Sequence, residues 1–128
     1  MNKIRLLIVD DSSAMRKMVE RSLRLAEVDI EQVWEAGNGI EALAVLRDNA
    51  VDLILCDINM PGMDGLEFLK HRMADVSAKG VPVIMITSES GESEVVQAIS
   101  SGALGYIRKP FSAREVREQI VPLLARKT

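Results

Sequence analysis

Cysteine is almost absent from this sequence, and the single one, Cys56, lies at the end of an apolar run. A thiol in such a run behaves as a small buried hydrophobic residue, so the sequence predicts neither a disulfide framework nor a cysteine metal site. With 128 residues, 48% of them hydrophobic, the chain has enough apolar material for one core without such supports. We therefore expect one domain over residues 1–128 in a reducing compartment, the cytoplasm.

Long apolar runs and an excess of positive charge are also missing. The run at residues 6–9 is followed by two aspartates and is too short for the core of a signal peptide, and no run is long enough to cross a bilayer. The formal net charge is −3, with both signs interspersed. Neither a membrane nor a nucleic acid is therefore an expected partner. There is no internal repeat, linker or low-complexity segment.

Five short segments have the composition of strands. Three are apolar runs rich in Ile, Val and Leu that are too short for helices, at residues 4–9, 53–56 and 81–86. Two weaker candidates are residues 32–34 and 105–107. All five predicted strands are separated by segments in which apolar residues recur at helical spacing.

The helical segments carry start signals. Ser12 or Ser13, Asp64 and Ser112 can each cap the helix that follows. In the first helix we expect Met15, Met18, Val19 and Leu23 to face the core. The resulting (βα)5 order predicts an α/β, doubly wound fold, with a parallel five-stranded sheet and helices on both faces. If the sheet has the flavodoxin-like order 2-1-3-4-5, strands 1, 3, 4 and 5 are contiguous and their carboxyl ends meet at one edge.

Polar residues follow four of the five predicted strands. Asp10 and Asp11 follow the first strand, Asp57 the third, Thr87 the fourth and Lys109 the fifth. The carboxyl ends of parallel strands lie at one edge of a sheet, where ligands bind in open α/β folds. We therefore expect these side chains to form one pocket.

The residue types in this pocket indicate phosphate chemistry. Three carboxylates repel one another, so a cation between them is implied, and oxygen ligands without His or Cys suit Mg²⁺. Lys109 can bind a phosphoryl oxygen and Thr87 can donate its hydroxyl. Asp57 is the best nucleophile, because its strand is predicted to be central, with the other aspartates on one side and Lys109 on the other.

The joint order of these residues resembles the receiver domains of response regulators, and among them the single-domain chemotaxis regulators. The resemblance covers essentially the whole chain, and each motif alone is weak. The matching segments are VDDS at 9–12, DINMPGMDG at 57–65, TSE at 87–89, GA at 102–103, GY at 105–106 and KPF at 109–111.

The resemblance implies a Mg²⁺-dependent phosphorylation switch without an output domain. Asp57 would accept a phosphoryl group from a histidine kinase. Asp11 and Asp57 would bind Mg²⁺ directly together with the main-chain carbonyl of Asn59, and Asp10 would act through water. Lys109 and Thr87 would hold the phosphoryl group, and the peptide bond between Lys109 and Pro110 would be cis.

The resemblance also implies how the signal leaves the site. Tyr106 would turn inward as Thr87 moves toward the phosphate, and this would change the face formed by helix 4, strand 5 and helix 5. A downstream protein would bind there, a phosphatase is a possible further partner, and the protein is expected to be a monomer. No enzymatic activity is expected beyond its own phosphorylation and dephosphorylation.

Two other functions use the same residue types. A Mg²⁺-dependent phosphohydrolase with an aspartate nucleophile usually has a second carboxylate two residues further on as general acid and base, whereas this chain has Asn59, which cannot transfer a proton. A phosphate sink or phosphorelay intermediate would keep the chemistry and change only the role. A flavin carrier of the same fold is excluded, because Asp10 and Asp11 would repel a phosphate that lacks a metal.

Overall fold

The computed structural model describes residues 3–58, 60, 62–74, 80–87, 92–109 and 112–125. Its strands are β1 (Ile4–Val9), β2 (Ile30–Ala36), β3 (Leu53–Asp57), β4 (Val83–Thr87) and β5 (Gly105–Arg108). Its helices are α1 (Ser13–Leu25), α2 (Gly39–Asp48), α3 (Gly65–Ala74), α4 (Glu92–Ser100) and α5 (Ala113–Ala125). The strands are parallel and lie in the order β2-β1-β3-β4-β5, which confirms the predicted fold.

The sheet separates two apolar layers, because successive side chains of a strand point to opposite faces. In β1, Leu7 and Val9 belong to the layer shared with α2, α3 and α4. Leu6 and Ile8 belong to the layer shared with α1 and α5. Helices therefore cover both faces of the sheet, as the crossover rule predicts.

Three side chains that were predicted to cap helices do so in the structure, at the starts of α1, α3 and α5. Ser12 Oγ accepts a hydrogen bond from the N–H of Met15 at 3.2 Å, and Ser112 Oγ accepts one from Glu115 at 3.2 Å. The carboxylate of Asp64 accepts one from the N–H of Glu67 at 2.9 Å. Each bond satisfies one backbone donor that the first turn of a helix leaves without an intrahelical partner, so these side chains define where α1, α3 and α5 start.

The prediction that Met18 lies in the core is wrong. Its side chain is 58% exposed, whereas Val19 and Leu23 are buried. A helix that packs on one side of a sheet buries a narrow stripe of residues spaced three and four apart, and Met18 lies about 100° around the helix from Val19. Met15, four residues before Val19, packs against the core as predicted.

Several strand limits also differ from the prediction, and the largest differences are in β4 and β2. Strand β4 begins at Val83 rather than at residue 81, and the preceding Pro82 has no N–H to donate, although its carbonyl accepts from Ile54 N–H at 3.0 Å. Strand β2 is longer than residues 32–34, because it stays paired with β1 from Ile30 to Ala36. The exposed residues of β2 are polar, namely Glu31, Gln32 and Glu35. The apolar residues alone therefore do not indicate the full length of the strand.

One buried cation was not expected from the sequence. Arg72 of α3 is only 4% exposed, and its Nε donates a hydrogen bond to the carbonyl oxygen of Val81 at 3.0 Å. Burial lowers the pKa of its guanidinium. The contact joins the last turn of α3 to the segment that precedes β4. No helix in the described ranges combines the length and apolar character needed to span a lipid bilayer.

Candidate functional site

Three aspartates meet at the carboxyl edge of the sheet. Asp57 is the last residue of β3, and Asp10 and Asp11 directly follow β1. Because Val9 pairs with Cys56 across the two strands, the next residues of each chain segment lie side by side. One carboxylate oxygen from each of Asp10, Asp11 and Asp57 lies within 4.8 Å of the corresponding oxygens of the other two. This confirms the expectation that these three side chains share one pocket.

The three carboxylates differ in exposure. The Asp10 and Asp57 residues are 3% and 6% exposed, whereas Asp11 is exposed to solvent. Buried carboxylates are retained in folded proteins only where charges or hydrogen bonds compensate for lost hydration. The contacts of Asp10 show how this compensation is achieved.

Asp10 is held through its side chain and its backbone. One carboxylate oxygen accepts a hydrogen bond from the N–H of Ser12 at 2.9 Å, and the other lies 3.3 Å from Nζ of Lys109. Its backbone N–H donates to the carbonyl of Ala36 at 3.0 Å, and its own carbonyl accepts from Nη1 of Arg16 at 2.6 Å. Both oxygens of this carboxylate therefore have protein partners.

Lys109 joins two of the aspartates. It follows β5, and its ammonium lies 3.3 Å from Asp10 Oδ2 and 3.6 Å from Asp57 Oδ2. The side chain is 16% exposed, so water screens these ion pairs less than at an open surface. Three formal negative charges and one positive charge leave a local charge of −2, which a divalent cation would neutralise.

Other predicted site residues lie partly or wholly outside the described residues. Thr87 ends β4, and its backbone is in register with Arg108 of β5, but its side chain lies outside the description. Asn59 and Pro110 lie outside the described residues altogether. The Thr87 hydroxyl contact, the metal-binding carbonyl of Asn59 and the cis peptide between Lys109 and Pro110 therefore stay predictions.

Tyr106 lies on the neighbouring strand, in register with Met85 of β4. Its side chain is partly buried and packs against the core layer of α2, α3 and α4, with the guanidinium carbon of Arg108 6.0 Å from the ring centroid. A cavity of about 340 Å³ opens beside it, lined by Tyr106, Ile107, Arg108, Glu115, Glu118 and Gln119. Tyr106 therefore contacts the core on one side and borders this cavity next to α5.

Cys56 directly precedes Asp57 on β3. Cys56 is fully buried, and its Sγ lies 3.3 Å from the carbonyl oxygen of Asp57. Burial, followed by the neighbouring charges of Asp57 and Asp10, raises the pKa of the Cys56 thiol well above 9.0. The thiol is therefore neutral and unreactive, which agrees with the structural role predicted from its sequence context.

Arg16 is the site neighbour that sequence reasoning missed. The signal that could have revealed it is its position four residues after the cap Ser12, where the helix dipole disfavours a cation unless acceptors surround it. His71, the only histidine of the sequence, is exposed on α3.

Comparison with known proteins gives a consistent result. The sequence-family model of the response regulator receiver domain matches residues 6–121 of this chain. The chain is 39% identical over 123 residues to the chemotaxis protein CheY-3 of Vibrio cholerae, a match that covers 96% of this chain and 93% of that one. It is 40% identical over 122 residues to the chemotaxis protein CheY1 of Helicobacter pylori, covering 94% and 97%.

Among solved structures, the chemotaxis response regulator CheY4 of Vibrio cholerae superimposes with a TM-score of 0.81 at 32% identity, over 95% of this chain and 99% of that chain. Sequence and fold therefore agree over nearly the same residues. The chain belongs to the family of response regulator receiver domains, which signal in two-component systems through phosphorylation and a change of conformation.

Proposed function

We propose that Asp57 is the phosphoacceptor of this receiver domain and that its modification requires Mg²⁺. The observation that carries the proposal is the position of its carboxylate, within 4.8 Å of those of Asp10 and Asp11 and 3.6 Å from the Lys109 ammonium. A nucleophilic carboxylate, further acidic ligands and a cation are the parts that aspartyl-phosphate chemistry needs.

The residues of the cluster fit a magnesium ion. Mg²⁺ takes oxygen ligands, keeps several waters and needs only one or two protein carboxylates besides phosphate oxygens. Asp11 is exposed, so its carboxylate is accessible to an ion from solvent. Asp10 already has protein partners at both oxygens, which favours a contribution through water rather than direct ligation. When bound, the ion neutralises charge on the transferring phosphoryl group.

The chain's own residues then have separate tasks. A carboxylate oxygen of Asp57 forms a bond to phosphorus as the P–N bond of the phosphohistidine donor breaks. The electron pair of that bond stays on the imidazole nitrogen of the donor, which takes a proton from solvent water. Lys109 moves its contacts from the carboxylates to a phosphoryl oxygen, where its charge stabilises the transferred group. Thr87, by its position at the end of β4, is proposed to donate its hydroxyl to another phosphoryl oxygen.

The same chain is proposed to act as a signalling protein without turnover of other substrates. A histidine kinase donor and downstream targets follow from the family in general. Hydrolysis of the aspartyl phosphate returns the switch to its starting state. A phosphohydrolase would usually have a general acid two residues after the nucleophile, whereas this chain has Asn59 at that position. The single-domain organisation over residues 1–128, a monomeric state and a cytoplasmic location belong to this proposal.

Output is proposed to pass through the face formed by α4, β5 and α5. Large apolar side chains are exposed there, namely Val96, Ile99 and Leu104, next to the partly buried Tyr106. A group of exposed apolar side chains suits a protein partner. The names of the relatives support a role in chemotaxis. A downstream target protein and a phosphatase are the partners proposed for this output.

Phosphorylation by a small phosphodonor tests the proposal. The parent protein, Asp57→Asn and Asp64→Asn are incubated with acetyl phosphate, with Mg²⁺ or with chelator, and the modified residue is mapped by mass spectrometry. Asp64 is the matched control, because it lies in the same loop but caps α3. We expect labelling of the parent and Asp64→Asn only when Mg²⁺ is present. Equal labelling of Asp57→Asn, or labelling that survives chelation, would refute the proposal.

A further inference from the structure

Arg16 occupies a position that is electrostatically unfavourable by itself. It lies at the end of the first turn of α1, close to the partial positive charge of the helix N-terminus. Its side chain is nevertheless only 18% exposed. A largely shielded cation at this end of a helix needs acceptors that lie outside the helix.

Two acceptors bind the guanidinium from different directions. Nη1 donates to the carbonyl oxygen of Asp10 at 2.6 Å, and Nε donates to Oε1 of Glu35 at 2.9 Å. Glu35 belongs to β2 and is in register with Ile8 of β1, so its carboxylate lies beside the start of α1. Lys17 binds the second oxygen of Glu35 at 2.8 Å. The planar guanidinium is thus oriented by Glu35 and directed at one carbonyl.

That carbonyl controls the backbone of the metal cluster. The carbonyl of Asp10 and the nitrogen and Cα of Asp11 belong to one planar peptide group. When the direction of this carbonyl is fixed, the plane of the peptide group is fixed as well. The Asp11 side chain extends from the Cα atom that lies in this plane. The carboxylate of Asp10 is held by contacts of its own, whereas Asp11 is exposed, so its direction depends more strongly on the backbone.

We propose that Arg16 is a positioning residue for the metal-binding aspartates. By holding the carbonyl of Asp10, with Glu35 as its anchor, it sets the direction of the Asp11 carboxylate and strengthens Mg²⁺ binding. The inference rests on the proposed function, because it takes Mg²⁺ as the ligand of the cluster. Arg16 acts through the peptide group and does not touch the ion.

The sign of the effect separates positioning from simple charge. A positive charge near the cluster repels Mg²⁺, so if Arg16 acted only through its charge, its removal would tighten Mg²⁺ binding. If Arg16 positions Asp11, its removal weakens binding. Arg16→Lys keeps the positive charge but lacks the planar guanidinium that donates hydrogen bonds in two directions. If Arg16 positions Asp11, this variant should therefore also bind Mg²⁺ more weakly than the parent.

Calorimetric titration of the unphosphorylated protein, residues 1–128, with MgCl₂ tests the inference. The variants are Arg16→Met, Arg16→Lys and the control Arg24→Met, which removes an arginine of the same helix that pairs with Glu20 at 3.1 Å. For Arg16→Met we expect a Kd weaker on the order of 10-fold, as for partners that orient metal ligands from outside the coordination sphere. Arg16→Lys should be intermediate, and Arg24→Met should match the parent.

Each outcome decides the question. If the parent binds Mg²⁺ and Arg16→Met binds as well or better, the inference is overturned and the proposed function stands. If the parent does not bind Mg²⁺, the magnesium site fails and the inference fails with it. If Arg16→Met does not fold, Arg16→Lys and Glu35→Gln decide, since both loosen the same contact, and parent-like affinity in both would overturn the inference.

Discussion

Gly65 approaches the carbonyl oxygen of Asp57 so closely that no Cβ atom fits between them. A methyl group at Gly65 would overlap that oxygen and lie 2.8 Å from Cα of Ile58. The N–H of Gly65 also donates to the carbonyl of Ile58 at 2.8 Å. The start of α3 therefore lies directly behind the proposed phosphorylation site.

Gly65→Ala should destabilise the protein and slow its phosphorylation. The backbone atoms it would meet cannot move without shifting Asp57, and overpacking of this kind costs about 1 to 3 kcal/mol. The gain in helix propensity, at most about 1 kcal/mol, offsets only part of this. Urea denaturation measures the first effect and acetyl phosphate labelling the second. Gly80→Ala is the control, because a Cβ there meets no atom within 4 Å. Parent-like behaviour of Gly65→Ala would contradict the close approach.

Asp10→Asn should melt at a higher temperature than the parent in chelator. It reduces the local charge from −2 to −1 and keeps an oxygen that can accept from Ser12. Two like charges at about 4 Å repel by roughly 4 kcal/mol at an effective dielectric constant near 20, before relaxation and screening. If about 1 kcal/mol of this remains, Tm rises by roughly 3 to 5 °C.

Addition of Mg²⁺ should raise the Tm of Asp10→Asn less than that of the parent, because the weakened site binds the ion with lower affinity. Asp29→Asn is a suitable control, since it removes an exposed negative charge elsewhere. A lower Tm of Asp10→Asn in chelator would show that carboxylate repulsion does not limit stability here.

Glu35→Gln should destabilise the protein in a pH-dependent manner. Hydrogen bonds from Lys17 and then from Arg16 lower the pKa of the Glu35 carboxyl below 4.5. A carboxyl whose pKa falls on folding adds stability above its unfolded pKa, and this stability is lost as pH falls through the folded value. Glu35→Gln should therefore be less stable than the parent at neutral pH, by up to about 1 kcal/mol, and the difference should shrink below pH 4.5.

Denaturation at neutral and acidic pH measures this difference. Glu118→Gln is the matched control, because Glu118 pairs with Arg114 at 3.1 Å but both side chains are mostly exposed. Pairs of that kind contribute little to stability. If the stability difference between Glu35→Gln and the parent did not depend on pH, the ion pairs of Glu35 with Lys17 and Arg16 would not be its cause.

Thr87→Ala should accept phosphate on Asp57 and yet transmit the signal poorly. In the proposed switch, the Thr87 hydroxyl links the phosphoryl group to Tyr106, and its removal leaves the nucleophile in place. NMR spectra before and after phosphorylation should show smaller shift changes on α4, β5 and α5 in Thr87→Ala than in the parent. Thr87→Ser keeps the hydroxyl and should behave like the parent. Equal shift changes in all three proteins would remove Thr87 from the pathway.

Much of this molecule could be predicted from local patterns. Alternation of apolar strands with amphipathic segments predicted a five-stranded parallel sheet, and the structure confirms this sheet and the expected strand order. The same pattern located Asp10, Asp11, Asp57 and Lys109 together, because the carboxyl ends of parallel strands share one edge. Caps such as Ser12 and Asp64 were predictable for a similar reason, since they act within four residues of their own position.

Other features depend on distances that no local pattern contains. The position of Met18 on the exposed flank of α1 and the burial of Arg72 depend on how far each helix is covered by its neighbours. The close approach of Gly65 to Asp57 depends on the path of the loop between β3 and α3. Such facts appear only when the elements are packed.

The sequence by itself determined the type of fold and the chemical character of the site, because both follow from residue type and from periodicity along the chain. The tertiary structure alone decided how the site is held. Arg16 can bind both Glu35 and the carbonyl of Asp10 only because β2 pairs with β1 in a register that brings residues 19 positions apart beside the start of α1. Contacts between separate elements depend on register and packing, and these are properties of the whole chain.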